Sequence, residues 1–311
     1  LAEDEALLDL LRQFKHRRMC PLSTLGFFTI PFLADHGPYH GLVVKIYRGV
    51  RDQGLARGLL GVHDNYVRVL SDLGLPVPET HMSIVRDGIR HYPIVLQEPF
   101  HRHEILRDLI AEGKPERCVD LLLGALDTVC HFWDRVVKQE ELQGLGLHAS
   151  IRNFGYRRGR FWHLDTFPPM FGLSREEMHD LILQFGLSTV CRLARPLALP
   201  FMDHVTGESY SREKSILGLV GSVCRLRPEC SRVFLQVTQQ FVDAQPNING
   251  KEALLDALGY PPRLSVVWVT IRRLLGKGGE PNVSRFVHPI TPTNRSSRHV
   301  DPGVRGSALQ R

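Results

Sequence analysis

The spacing of apolar and polar positions divides the chain into a strand-bearing first third and a helical remainder. Residues 3–17 predict an amphipathic helix, followed by an apolar stretch at 25–33, a turn at Asp35-His36-Gly37-Pro38 and a strand at 41–47. Asp52 stands where it can cap a helix. The apolar positions of that helix, Leu55, Leu59, Val62, Tyr66, Leu70 and Leu73, keep a three-four spacing up to Gly74, with Pro76 beyond. Two more strands, at 81–85 and 91–98, flank an Asp87-Gly88 turn. The order is therefore strand, strand, strand, helix, strand, strand. Beyond residue 98 the pattern is mostly helical, with helix starts marked by Pro115 and by the capping box Ser174-x-x-Glu177. One interruption stands out. Between Asn153 and Asp165, the residues Gly155, Tyr156, Gly159, Phe161, Trp162 and Leu164 read as strand, turn, strand. No internal repeat is visible.

Composition narrows the class. A chain of 311 residues with 43% apolar content can bury one large core or two lobes that share an interface. The six cysteines, Cys20, Cys118, Cys130, Cys191, Cys224 and Cys230, contain no CxxC pair, so they are expected to be reduced packing residues, without a disulfide framework or zinc site. No run approaches the roughly 18 apolar residues of a membrane span. The first residues are acidic and amphipathic, where a signal peptide would be basic and then apolar. Both features predict a cytoplasmic protein with no membrane partner. Of the net charge of +6, +4 comes from 276–311, where Lys277, Arg285, Arg295, Arg298, Arg305 and Arg311 face only Glu280 and Asp301. That segment has the composition of a disordered basic tail. No interleaving of aromatic and basic residues accompanies it, so no nucleic-acid partner is expected.

Two features carry candidate chemistry. Lys45 projects from the apolar strand of GLVVKIY on one face with Val43 and Tyr47, either as an exposed edge-strand lysine or as a cation aimed at a ligand. Asn153 and Asp165 bracket the short hairpin, Asp165 closing an apolar strand in RFWHLDTFPP. Together these resemble the core of the protein-kinase-like fold, in particular the aminoglycoside phosphotransferase type. In that family a catalytic loop ends in Asn and a following strand ends in a Mg²⁺-binding Asp. The resemblance implies an α+β, two-lobed fold: a small antiparallel-sheet N-lobe over 1–97 and a mainly helical C-lobe over 98–275. It further implies ATP and Mg²⁺, with Lys45 on the α- and β-phosphates and Asn153 and Asp165 on the metal. The IVLQEPF segment at 94–100 resembles the connection that meets adenine, which places Gln97, Glu98 and Phe100 near the base. The turn Pro21-Leu22-Ser23-Thr24-Leu25-Gly26 stands where the family has its glycine-rich loop, with Ser23 and Gly26 as candidate nucleotide contacts. The implied reaction is phosphorylation of a hydroxyl on a small molecule or a peptide precursor in a biosynthetic pathway. The alternative is a pseudokinase scaffold that binds a peptide or partner enzyme.

The chain departs from the family pattern at three points. Five residues before Asn153, where the family has its catalytic acid, stands His148. Aligning His148 with the His of an HxD motif would put Ser150 at the acid and shorten the loop by two residues, so the five-residue interval is preferred. At an ordinary pKa of about 6.5 the imidazole could accept a hydroxyl proton, or it could simply close the preceding helix near Leu145-Gly146. The helix after Lys45 offers no Glu. Asp64 is its candidate acid, yet it sits two residues from Val62 and from Tyr66 and so points away from the apolar stripe, whereas His63 points along it. Finally, Thr166-Phe167 leads into Pro168-Pro169, a stiff segment that suggests a static site. Nucleophile-elbow, HExxH and Walker motifs are missing, and His101-Arg102-His103 reads as solvated surface.

Overall fold

Helix α1 (Ala2–Lys15) lays Leu7, Leu10 and Leu11 across one face of a four-stranded antiparallel sheet. The sheet comprises β1 (Phe32–Leu33), β2 (Val43–Ile46), β3 (Thr80–Asp87) and β4 (Arg90–Gln97), in the order β1-β2-β4-β3. This computed structural model describes residues 2–16, 18–23, 26, 28–186, 207–264, 266 and 269. Strand alternation explains the two faces of the sheet. Val44 and Ile46 of β2 join Ile94 and Leu96 of β4 under α1, so Lys45, paired with Val95, must face the other way. β1 covers only Val43 and Val44 of β2, so Lys45 pairs with Val95 of β4 alone, and it is half-buried on the face turned away from α1.

The first predicted strand is much shorter than expected. Among the described residues of 25–33 only Phe32 and Leu33 pair with β2, because Pro31 brings no N–H to a ladder and its carbonyl accepts from Leu22 instead, at 2.8 Å. Ahead of β1, Pro21 makes a single antiparallel bridge with Phe32.

Helix α2 (Gln53–Asp72) forms where the spacing predicted it. The Asp52 carboxylate accepts from Leu55 N at 3.0 Å, and the chain leaves the helix through Gly74 at φ +79°, a conformation that costs glycine no Cβ clash. Then follow α3 (Leu106–Glu112), α4 (Pro115–Val136), the hairpin β5 (Phe154–Arg157) and β6 (Arg160–His163), α5 (Arg175–Gly186), α6 (Arg212–Leu226), α7 (Ser231–Ala244) and α8 (Lys251–Ala257). The fold is thus mixed α/β with a small antiparallel sheet and, among the described residues, eight α-helices. The Ser174 and Glu177 side chains bond each other's backbone N–H at the start of α5, completing the predicted capping box.

Two cores bear on the site. The larger joins the end of α2 to α4, α6 and α7 and takes in Leu147, Ile151 and Phe154, so the loop before the hairpin is anchored by its alternate residues. A smaller one joins the open face of the sheet, through Tyr47, Met82 and Val95, to Ala56 and Leu59 of α2, to Phe167, and to Leu181 and Phe185 of α5. Cys118, Cys130, Cys224 and Cys230 are buried free thiols as expected, but Cys20 is exposed, because it lies on the short bridged segment beside β1. Cys191 and the basic tail over 276–311 lie outside the described residues. No helix among the described residues is long and apolar enough to cross a membrane.

Candidate active site

The loop that carries the candidate residues is held by its backbone. Leu147 N bonds Ser209 O at 2.7 Å, Gly146 N bonds Met170 O at 2.8 Å, and Tyr66 Oη donates to Gly146 O at 3.1 Å. Helix α4 ended at Val136, so His148 does not close a helix. Asn153 is 4% exposed, and its Nδ2 donates to His148 O at 3.1 Å across the five-residue interval. That bond commits the amide NH₂ and leaves Oδ1 as the acceptor of the side chain. The Asn153 backbone is tied in turn, N to Ser150 O at 2.8 Å and O from Leu164 N at 2.8 Å. The last bond fixes the Asn against the segment just beyond β6, which ends at His163, two residues short of the Asp165 that was expected to close it.

Lys45 reaches the same segment from the sheet. Its ammonium donates to Leu164 O at 2.7 Å, one residue before Asp165. Burial lowers the Lys45 pKa and the Asp165 charge works against that shift. The same carboxylate acts on Tyr47, Tyr66, His148 and His163, and so marks the electrostatic centre of the region. His148 is pushed down to about 4, first by burial and then by the Arg152 charge, with Asp165 opposing. The ordinary imidazole pKa expected from the sequence is therefore corrected: the ring is neutral at physiological pH. His163 is likewise held at about 4 by burial. It is fully buried, its ring edge-on to Phe154, and neither ring nitrogen makes an aligned hydrogen bond although the Asp165 main chain stands close by.

Helix α2 approaches from the other side with a histidine in place of an acid. His63 is fully buried, and its Nε2 lies 2.9 Å from Thr166 Oγ1. Asp64 is 64% exposed, with a carboxylate oxygen 3.6 Å from His63 Nδ1, so it turns outward and forms no ion pair with Lys45. Thr166 was not anticipated, although His63 could be found by its place on the apolar stripe. Next to Thr166, Phe167 lies against Tyr47 with ring centroids 3.8 Å apart, and against Phe28 and Phe185 at 5.8 and 5.4 Å.

The strand-to-helix connection at 97–100 is governed by a residue that the sequence reading missed. Arg157, on β5, donates to Glu98 at 2.6 Å, to both carboxylate oxygens of Glu104 at 2.7 and 2.8 Å, and to Pro99 O at 2.6 Å. Its guanidinium also lies 3.8 Å from the centroid of the Phe100 ring. That ring presses on Gly155, where a Cβ would come within 2.4 Å of it. Gln97 turns its side chain to Thr80 Oγ1 at 3.0 Å, and Glu98 N bonds Glu79 O at 2.8 Å. Among the described residues, the Glu98 carbonyl and the Phe100 N–H bond no protein group.

The candidate glycine turn is only partly described, since Thr24, Leu25 and Phe27 fall outside the described residues. Gly26 has a local reason to be glycine: a Cβ there would sit 1.8 Å from Thr29 O. Ser23 precedes it on the same turn, and the structure brings neither residue into contact with Lys45 or Asp165. A groove of about 550 Å³ between α1 and β2, lined by Phe14, Lys15, Ile46, Tyr47, Arg90 and Tyr92 among others, includes none of Lys45, Asn153 and Asp165.

A search of curated proteins finds no match. Residues 6–279, which include every element described above from the body of α1 to α8, match a family of unknown function, DUF6206, and the chain belongs to that family.

Proposed function

We propose that this protein is an ATP-dependent phosphotransferase of kinase-like, two-lobed architecture that phosphorylates a hydroxyl of a small molecule or peptide precursor. The observation that carries the reading is the way Asn153 is held: its Nδ2 donates to His148 O and its carbonyl accepts from Leu164 N, which leaves Oδ1 unused by that bond and ties the loop to the residue before Asp165, so that Oδ1 and the Asp165 carboxylate would serve one ion. Lys45, reaching across from β2, adds a half-buried cation beside the segment that carries Asp165, as the phosphates of a nucleotide require. The run strand, strand, helix, strand, strand before the connection supports the same architecture. So do the unengaged Glu98 carbonyl and Phe100 N–H, an acceptor and a donor of the kind a purine edge needs.

The donor set suits Mg²⁺. Asn153 and Asp165 offer two hard oxygen ligands, the usual protein share for an ion that keeps waters and phosphate oxygens. No cluster of three or more His, Cys, Asp or Glu suited to a metal occurs among the described residues, so the phosphates themselves would complete the sphere. When bound, the ion would neutralise charge on the transferring group. Lys45 would hold the α- and β-phosphates, and neutral His148 would accept the proton of the attacking hydroxyl at a ring nitrogen. Because phosphoryl transfer has a loose transition state, positioning and charge outweigh base strength, and an imidazole in place of a carboxylate is compatible with turnover.

His148 at the acid position also favours a second reading, a scaffold that keeps the fold to bind a peptide or partner enzyme. Thermal stabilisation by ATP, with and without Mg²⁺, separates the two. Ligand at 100 times its Kd adds about 2.7 kcal/mol, a shift of several degrees for a chain of this size. Asp165→Asn is expected to abolish the Mg²⁺-dependent part, and Lys45→Met to weaken the response to nucleotide. No shift in the wild-type protein, or a Mg²⁺ dependence that survives Asp165→Asn, would reject the phosphotransferase.

A further inference from the structure

We infer that His63, acting through Thr166, is the positioning residue that holds the Asp165 carboxylate in place, and that helix α2 thereby contributes a neutral tether to the segment that carries Asp165 in place of an acid for Lys45. The inference rests on the phosphotransferase reading.

The observations come from both ends of the tether. Along α2 the residues turned inward are Ala56, Leu59, His63, Tyr66, Val69 and Leu70, so His63 occupies an otherwise apolar face at a single polar position. A polar ring placed there with no exposure is costly unless it is hydrogen-bonded. Its partner is the Thr166 hydroxyl, itself 1% exposed, at 2.9 Å across 103 residues of sequence. Thr166 directly follows Asp165, and Leu164, directly before it, accepts the Lys45 ammonium. The three residues 164–166 are thus gripped from the sheet through Leu164 and from α2 through Thr166, with the carboxylate between the two grips. The groups whose charge reaches His63 are Asp64, Lys45 and His81. Its Nδ1 makes no aligned hydrogen bond and lies 3.6 Å from the outward-facing Asp64 carboxylate, whose charge favours the tautomer with the proton on Nδ1 and leaves Nε2 to accept the Thr166 O–H. A carboxylate on α2 would instead compete with Asp165 for Lys45. The histidine leaves Asp165 as the acid acting on that cation.

The test follows the metal requirement and needs no acceptor. In the full chain, His63→Leu and Thr166→Val remove the bond from either end, the second with little change of shape. The Mg²⁺ concentration giving half of the ATP-dependent thermal stabilisation is expected to rise at least about tenfold in each, as the loss of one buried hydrogen bond allows. Stabilisation by ATP without metal is expected to stay unchanged, which a general loss of packing would not produce. The double variant should match the singles instead of multiplying them, and His63→Gln, which can place an acceptor near the Nε2 position, should restore part of the response. If His63→Leu does not fold, Thr166→Val carries the same test. An unchanged Mg²⁺ requirement in folded variants overturns this inference alone. A wild-type protein that shows no response to nucleotide overturns both the inference and the phosphotransferase reading.

Discussion

Replacing Arg157 by Met should destabilise the protein by about 2–3 kcal/mol at pH 7, and its pH dependence makes the cause identifiable. Glu104 is held at about 2, against an ordinary 4.5, chiefly by the Arg157 hydrogen bonds. At about 1.36 kcal/mol per pH unit, that displacement is worth roughly 3 kcal/mol. The Glu104 side chain is 16% exposed, so the pair is sheltered but close to water, and the lower half of that range is the sounder expectation. Glu98, at 44% exposed, adds no more than about 1 kcal/mol, and the guanidinium over Phe100 adds roughly as much. The sign follows from which state binds the proton. Because the folded carboxyl titrates lower than the unfolded one, the stabilisation is complete above about 4.5 and is lost as pH falls through about 2. In Arg157→Met that depression is absent. The gap between the two proteins should therefore narrow by roughly 1.4 kcal/mol between pH 7 and pH 3.5. Urea unfolding of both proteins at pH 7 and pH 3.5 measures this. A gap below about 1 kcal/mol at pH 7, or one that does not narrow at pH 3.5, refutes the role given to Arg157.

Further outcomes follow from the same region. His148 is held at about 4, so the acidic limb of any transfer rate should lie near that value and the rate should be flat between pH 6 and 8; a limb near the ordinary histidine value would show that the ring is not buried in the working enzyme. His163 also sits at about 4, so the unfolded chain takes up its proton first as pH falls below about 6.5, and stability drains away until about 4. His163→Phe should recover up to about 2 kcal/mol at pH 5, and an unaltered pH slope in that variant would count against the assignment. Gly155→Ala should cost about 1–3 kcal/mol in unfolding free energy through the Phe100 ring, and pairing it with Phe100→Ala should return part of that loss; strict additivity would mean that the ring is not what the methyl meets.

What was legible in the sequence is what depends on near neighbours along the chain. Helix α2 could be read because the Asp52 cap, the three-four stripe and Gly74 all lie within it, and the hairpin because Gly159 and the alternation around it are local. His63 was visible on its stripe, but its partner Thr166 is 103 residues away and no local pattern connects them. Arg157 grips Glu98 and Glu104, more than 50 residues earlier, and as one arginine at a strand end it carries no signature. Asp64 was available only as a residue type, since its outward direction follows from how α2 packs. The His148 pKa could not be read either, because burial is a property of the assembled molecule. β1 was overread because apolar content was weighed above Pro31, whose missing N–H stops the ladder.

Phe167 ultimately sets a time scale. Its ring touches Tyr47 at the end of the sheet, Phe28 beyond the first turn and Phe185 on α5, so those segments cannot part beside Asp165 without separating three ring pairs. At about 0.5–1.5 kcal/mol for each pair beyond its buried area, that separation costs roughly 1.5–4.5 kcal/mol. Even before the loss of apolar burial is added, the parted form would be present in only about one molecule in ten to one in two thousand. A ligand of the kind proposed would therefore meet packed segments beside Asp165 and not a swinging jaw. Under the phosphotransferase reading, any step of binding that needs these segments to part would draw on that small fraction and be slowed in proportion.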